Sequence, residues 1–218
     1  MCPRLTRDQI RDYYVHYGSL QDTQGYYEDG PLSRLIEGGA FQRARSVAEF
    51  GCGTGRLANR ILTLSPHSSY IGLDLSQTML EVTADRLARF DARAILIRTS
   101  GAPSLPLGEA SVDRVVAAYV LDILSAPEIE LWLADAARVL CRGGLLCVAN
   151  LTWGTTLRSR VVSLGWWLMA LHFPRRVGGC RPIDLISEIA GPTWNLLQSE
   201  KEVQGGIASQ ILIAEKIG

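Results

Sequence analysis

The residues best spaced to do chemistry are Glu49-Phe50-Gly51-Cys52-Gly53-Thr54-Gly55. Glycines at alternate positions let a chain turn sharply and let a ligand approach backbone N–H groups at a helix N-terminus. The spacing is G-x-G-x-G, and Arg56 stands where a dinucleotide fingerprint would place its third glycine. Glu49, two residues before the first glycine, would repel a pyrophosphate but suits a ligand carrying an ammonium group. Asp74 ends the next apolar run, the position from which an acid meets ribose hydroxyls in a doubly wound sheet. A tight strand–helix turn and a helix-capping acid are the plain structural alternatives for these two features.

Holding these groups requires strands that end at them and helices that begin there. Ser46 to Phe50 reads as a strand, Arg56 to Leu64 as a helix, and Tyr70 to Leu73 as a second strand ending at Asp74. Ser76 is an expected N-cap for a helix bearing Met79, Val82 and Arg86 on one side. Ala94 to Ile97 and Val112 to Ala118 read as further strands. Ser125-Ala126-Pro127-Glu128 fits a capping box ahead of a stripe of Ile129, Trp132, Leu133, Ala136 and Leu140. Arg142-Gly143-Gly144 is expected to stop that helix, before a buried strand over Leu145 to Ala149. Apolar strands alternating with amphipathic helices predict an α/β fold with a parallel sheet covered on both faces. Pro182 to Ala190 reads as a last helix. Trp194 to Val203 and Ile207 to Lys216 read as strands, with Gly205-Gly206 as a hairpin turn and an antiparallel final strand. A nucleoside without phosphates but with an amino-acid ammonium is the ligand implied by the turn and Asp74 together. S-adenosylmethionine fits that description better than NAD or ATP.

Four segments carry a family resemblance. Val47 to Gly55, Gly72-Leu73-Asp74-Leu75-Ser76 with Met79, Leu105 to Asp113, and Arg138 to Leu145 resemble successive motifs of class I S-adenosylmethionine-dependent methyltransferases. The resemblance covers about residues 44–150, and the subgroup includes quinone-biosynthesis enzymes. It implies a Rossmann-like doubly wound sheet of seven strands ending in an antiparallel hairpin. It also implies that Glu49, Gly51, Cys52, Gly53 and Gly55 hold the methionine part of the cofactor. Asp74 would take the ribose, and Leu75 and Met79 would line the adenine. The family's usual acid after the third strand is missing, because Ser100-Gly101-Ala102 stands there; Gly101 and Ala102 are left to meet adenine through backbone atoms or Ser100.

Ligands in such folds bind beyond the carboxyl ends of the strands, which brings Tyr119 toward the cofactor and makes Asp122 a candidate base. Five tyrosines precede the first strand, more than a core absorbs without hydroxyl partners. Related enzymes use an N-terminal helix as a lid, which places Tyr14 and Tyr17 over the cofactor and makes His16 a second catalytic candidate. The division expected within one 1–218 domain is a helical lid over 1–43, a cofactor core over 44–150 and an acceptor-pocket region over 151–218. Trp166, Trp167 and Met169 in the last part suit an apolar or aromatic small-molecule acceptor. The arginine-flanked run from Val161 to Phe173 is too short to span a bilayer, so its alternatives are a buried helix or a weak membrane-surface contact. A quinone- or lipid-directed methyltransferase docking on a membrane, or a partner protein that binds the cofactor without turnover, are the competing functions.

Composition narrows the field. The chain has 218 residues with 22 Lys plus Arg against 22 Asp plus Glu, which argues against nucleic acid as the main partner. Cys2, Cys52, Cys141, Cys147 and Cys180 form no CxxC pair, and His16, His67 and His172 are scattered. Neither a disulfide framework nor a metal site is expected. The first residues show no apolar signal segment, so a cytoplasmic protein is the expectation.

Overall fold

A computed structural model describes residues 4–189 and 191–218, with the backbone alone at 17–20 and 91. The strands are β1 (Ser46–Phe50), β2 (Ser69–Asp74), β3 (Ala94–Arg98), β4 (Val112–Ala118), β5 (Leu140–Leu151), β6 (Trp194–Gln204) and β7 (Ile207–Lys216). They form one sheet in the order β3-β2-β1-β4-β5-β7-β6. The first five are mutually parallel, and β7 runs antiparallel to both β5 and β6. The chain therefore steps one way from β1 to β3 and then reverses across β1 to β4. That reversal opens a crevice at the strand ends, where ligands bind in open α/β sheets.

The helices are α1 (Arg7–Tyr17), α2 (Gly25–Gly38), α3 (Arg56–Leu64), α4 (Gln77–Leu87), α5 (Ala126–Val139), α6 (Leu157–His172) and the single turn α7 (Ile186–Ile189). One face of the sheet packs Ala48, Val115, Val148 and Leu212 against Trp132 and Leu133 of α5. The other packs Val47, Val116, Cys147 and Ile211 against Leu35 of α2 and Ile61 of α3. Burial on both faces accounts for the near-continuous apolar runs of β1, β4 and β5. Ser76 accepts from the Met79 N–H, and Ser125 and Glu128 form the reciprocal capping box expected from their spacing.

Two boundaries differ from the sequence expectation. Helix α5 ends at Val139, not at Arg142-Gly143-Gly144. Leu140 is already paired with Val112, and pairing resumes only at Arg114 with Leu145, so residues 141–144 bulge out within β5. The helix expected over Pro182 to Ala190 is reduced to α7, and Ala190 lies outside the described residues. The start of this segment is instead tied to β5 and β7: Ile183 N–H bonds the Leu151 carbonyl at 3.0 Å and Leu185 N–H bonds Gln210 Oε1 at 3.0 Å. No helix among the described residues is long and apolar enough to cross a membrane.

Trp132 is fully buried beneath the sheet, tilted against Phe50 with ring centroids 5.7 Å apart. Its indole N–H has no partner. Trp132→Ala is expected to cost about 3–5 kcal/mol in urea unfolding. Trp132→Phe should cost much less, since it keeps a ring and removes the unpaired donor.

Candidate active site

The turn from β1 into α3 is set by hydrogen bonds from its own amides. Gly51 and Cys52 N–H both reach the Leu73 carbonyl, at 2.7 and 3.1 Å. Gly53 N–H donates to Asp74 Oδ2 at 2.9 Å, while Ser76 N–H donates to Asp74 Oδ1 at 2.8 Å. One carboxylate thus joins the glycine turn to the start of α4. Burial pushes its pKa up to about 6, against the pull of the backbone amides, so it is largely ionised at neutral pH. Gly51 has φ +72°, and a Cβ there would stand 2.7 Å from Val120 Cγ2. Only glycine meets both demands.

Above this turn lies a cleft of about 960 Å³, including its open mouth. Gly51, Gly53, Asp74, Leu75, Met79, Gly101, Tyr14 and Tyr119 all line it. Four residues expected beside them do not. Glu49 is 2% exposed and accepts from Tyr70 Oη at 2.5 Å; burial raises its carboxyl to about 8, so it faces the core and offers no free charge to an ammonium group. Cys52 is packed in the core against Leu57 and Tyr70. Gly55 caps α3 against Thr83, and Ala102 lies off the cleft wall. The Tyr17 side chain lies outside the described residues. His16 is exposed, its Nδ1 2.9 Å from the Asp12 carbonyl of its own helix, and it does not line the cleft.

The N-terminal segment covers the cleft through polar contacts that spacing alone could not show. Arg7 reaches Glu128 at 3.3 Å across the cleft. Below it, Asp22 accepts from Arg86 Nη2 at 2.5 Å and from Thr54 Oγ1 at 2.6 Å. Burial alone would raise the Asp22 carboxyl, but these hydrogen bonds outweigh it and hold the group below its ordinary value. Gln21, one residue earlier, projects toward Gly53, and its buried Oε1 has no donor.

Behind the cleft is a second cavity of about 540 Å³, walled by Tyr13, Tyr14, Tyr27, Tyr119, Trp166 and Asp122. The two spaces share Tyr14, Gln21 and Tyr119. Tyr119 holds a left-handed backbone at φ +53°, its hydroxyl 2.8 Å from Ser209 Oγ and its ring edge-on to Tyr27. Such strain in a non-glycine residue persists only where the surroundings enforce it. Asp122 is wholly buried. Its Oδ2 accepts a 3.4 Å hydrogen bond from Leu151 N–H, but its Oδ1 has no partner. Burial pushes its pKa up to about 6, opposed by that amide and by the nearby Arg181 charge. The Cys180 thiol stands 3.8 Å from Tyr14 Oη, and burial raises it far above its usual range, so it is a neutral thiol. Among the described residues no three His, Cys, Asp or Glu side chains are grouped to hold a metal ion.

The turn's steric demand is testable. Gly51→Ala is expected to lose about 1–2 kcal/mol from its left-handed backbone, plus the clash with Val120. In urea unfolding, adding Val120→Ala should restore the steric part and leave the backbone part.

Comparison with known proteins agrees with this geometry. Residues 47–144 match the family model described as a methyltransferase domain. The chain is 35% identical over 109 residues to malonyl-[acyl-carrier protein] O-methyltransferase of Hahella chejuensis, covering 50% of this chain and 37% of that protein. It is 30% identical over 109 residues to the ubiquinone/menaquinone biosynthesis C-methyltransferase UbiE of Syntrophotalea carbinolica, covering 50% and 45%. The match thus spans less than half the length of either relative. Two crystal structures share the fold. One is the [4+2]-cyclase SpnF, with TM-score 0.76 and 17% identity over 100% of this chain and 99% of that one. The other is the N-methyltransferase NodS from Bradyrhizobium japonicum WM9 in complex with S-adenosyl-L-homocysteine, with TM-score 0.66 and 14% identity over 87% of each. Residues 47–144 thus match a methyltransferase domain, and over 109 residues the chain is similar to named O- and C-methyltransferases.

Proposed function

We propose that the chain transfers a methyl group from S-adenosylmethionine in the cleft to a small apolar or aromatic acceptor in the tyrosine-lined chamber. The observation that carries this reading is that Tyr14, Gln21 and Tyr119 line both cavities, which makes the two spaces immediate neighbours. The cleft suits the cofactor: Gly51 and Gly53 leave a floor free of side chains, Asp74 supplies a carboxylate for ribose hydroxyls, and Leu75 and Met79 offer an apolar slot for a base. When bound, the sulfonium supplies an already activated methyl group, so the protein contributes mainly alignment, which is worth roughly 7–11 kcal/mol of barrier. On this reading residues 1–43 close the cleft, 44–150 hold the cofactor and 151–218 complete the acceptor wall. Among the described residues Cys52, Cys141, Cys147 and Cys180 are free, which suits a cytoplasmic setting, where thiols stay reduced.

The chamber also has a polarity. Gln21 Oε1 and Asp122 Oδ1 are buried acceptors without donors, so an acceptor molecule presenting an O–H or acidic C–H group would satisfy them. The relatives' names give one O- and one C-methyltransferase; a carboxylate acceptor is already ionised at neutral pH, whereas a phenol, alcohol or carbon acceptor has a proton to lose. Asp122, ionised above about pH 6, is placed to take it. A shared fold does not fix the reaction, as the cyclase name of one structural neighbour shows, so methyl transfer must be observed directly.

Incubating the protein with S-adenosylmethionine and a metabolite mixture should yield a product heavier by one methylene, seen by mass spectrometry. Cofactor binding without any methylated product would instead favour a binding protein. Asp74→Ala should weaken S-adenosylhomocysteine binding by about 1.5–3 kcal/mol in calorimetry, the range for hydrogen bonds to a charged group; unchanged affinity would remove Asp74 from the site. For Asp122→Asn, turnover should fall and the wild-type rate limb near pH 6 should vanish. Its stability should change in the opposite sense. The folded pKa of about 6 lies above the unfolded value near 4, so the wild type loses stability as pH rises through that window. The variant should therefore gain on the wild type between about pH 4 and 7.

A further inference from the structure

Helix α6 has a buried inner face of small residues and an exposed apolar outer face. Its inner face carries Ser159, Ser163 and Ala170, all buried, with Trp166 Nε1 donating to the Cys180 carbonyl at 3.1 Å beside the chamber. Its outer face carries Leu157, Val161, Leu164 and Leu168, spaced four, three and four residues apart and so aligned in one stripe. These side chains are in water: Leu157 is 84% exposed and Val161 71%, and Leu164 and Leu168 are also exposed. The stripe runs for about 16 Å along the helix at 1.5 Å per residue. Exposed Trp153, whose ring lies 6.4 Å from that of Trp167, flanks the helix, and exposed Phe173 follows its C-terminal end. A contiguous apolar surface of this kind marks an interaction site rather than scattered surface leucines.

The charge around the stripe selects its partner. Arg158 and Arg160 sit at its N-terminal end, and Arg175 and Arg176 follow its C-terminal end. None of these four has a carboxylate partner among the described residues. Between Asp135 and Asp184 the sequence holds seven arginines, no lysine and no acidic residue, in a chain whose total charge is balanced. Of these, Arg138 is ion-paired with Asp135 and Arg142 lies in the β5 bulge, so among the described residues the unpaired positive charge beside the helix is that of Arg158, Arg160, Arg175 and Arg176. A convex helix with long aliphatic side chains projecting singly, and cations at both ends, matches a lipid surface, whose acyl chains take up an uneven apolar stripe while its phosphates meet the arginines.

We propose that the outer face of α6 docks in the plane of an anionic lipid bilayer. The docked face would lie back to back with the acceptor chamber, because Trp166 on the opposite side of the same helix forms part of that chamber's wall. The surface stands independently of the reaction assigned above.

Flotation of the full chain with vesicles tests it. Wild type should rise with vesicles of about equal parts phosphatidylcholine and phosphatidylglycerol, rise much less with phosphatidylcholine alone, and be released by high salt. The triple substitution Leu157→Ser, Val161→Ser and Leu164→Ser should reduce the vesicle-bound fraction by about tenfold or more, and so should Arg158→Glu with Arg160→Glu. Because these side chains are exposed, the thermal midpoint and S-adenosylhomocysteine affinity should stay at wild-type values, which establishes that the variants are folded. Wild type remaining at the bottom with anionic vesicles would overturn the proposal, as would variants that float equally well. Self-association of wild type that Leu164→Ser abolishes, without vesicle binding, would also overturn it by assigning the face to a second copy.

Discussion

Asp74 accepts the Gly53 N–H on one oxygen and the Ser76 N–H on the other, and the geometry of the cleft depends on that pair of bonds. They draw the glycine turn after β1 toward the end of β2 and fix the N-terminus of α4, which carries Met79 into the wall. A buried carboxylate is costly unless it is hydrogen-bonded, and here both of its oxygens are. The same group lines the cleft, so its structural task and its exposure to a ligand coincide. The Asp22, Thr54 and Arg86 network adds the N-terminal segment to this clamp, and through it Gln21 and Tyr14 come to stand over the glycines.

The adjoining chamber is less completely satisfied. Buried polar atoms in folded proteins nearly always have partners, yet Gln21 Oε1 and Asp122 Oδ1 have none, and Tyr119 is held in a left-handed conformation. Gln21 and Tyr119 lie at the junction of the two cavities, and Asp122 lines the chamber only. Unmet acceptors there are a cost to the folded state, which a ligand with a suitable donor would remove. Among the described residues the other buried side-chain polar atoms without a partner are Trp132 Nε1, Asn150 Oδ1 and Thr152 Oγ1; the sheet core is otherwise mostly aliphatic, with Trp132 on one face and Tyr70 and Phe41 on the other.

The parallel sheet, the switch between β1 and β4 and the antiparallel closing pair were legible because buried strands read as apolar runs and Gly205-Gly206 marks a turn. Ser76 and the Ser125–Glu128 box were legible because caps are local chemistry. Contacts between segments far apart in sequence were not. Glu49 seemed to face the ligand by its place before the glycines, but alternation along β1 and the Tyr70 hydroxyl turn it into the core. Helix α5 stopped early because Leu140 found a partner in Val112, a choice no local pattern encodes. Gln21 and Asp22 carry no motif at all; only the position of Arg86, 64 residues after Asp22, gives them a role.

The central claim is that one ligand in the cleft faces a second in the tyrosine chamber across Tyr14, Gln21 and Tyr119. The most direct measurement is a crystal structure of the protein with S-adenosylhomocysteine bound. Ribose hydroxyls should lie on Asp74, the base beside Leu75 and Met79, and the sulfur toward Tyr14, Gln21 and Tyr119, the side of the cleft shared with the chamber. A ligand bound elsewhere, or one whose sulfur is walled off from that chamber, would contradict it.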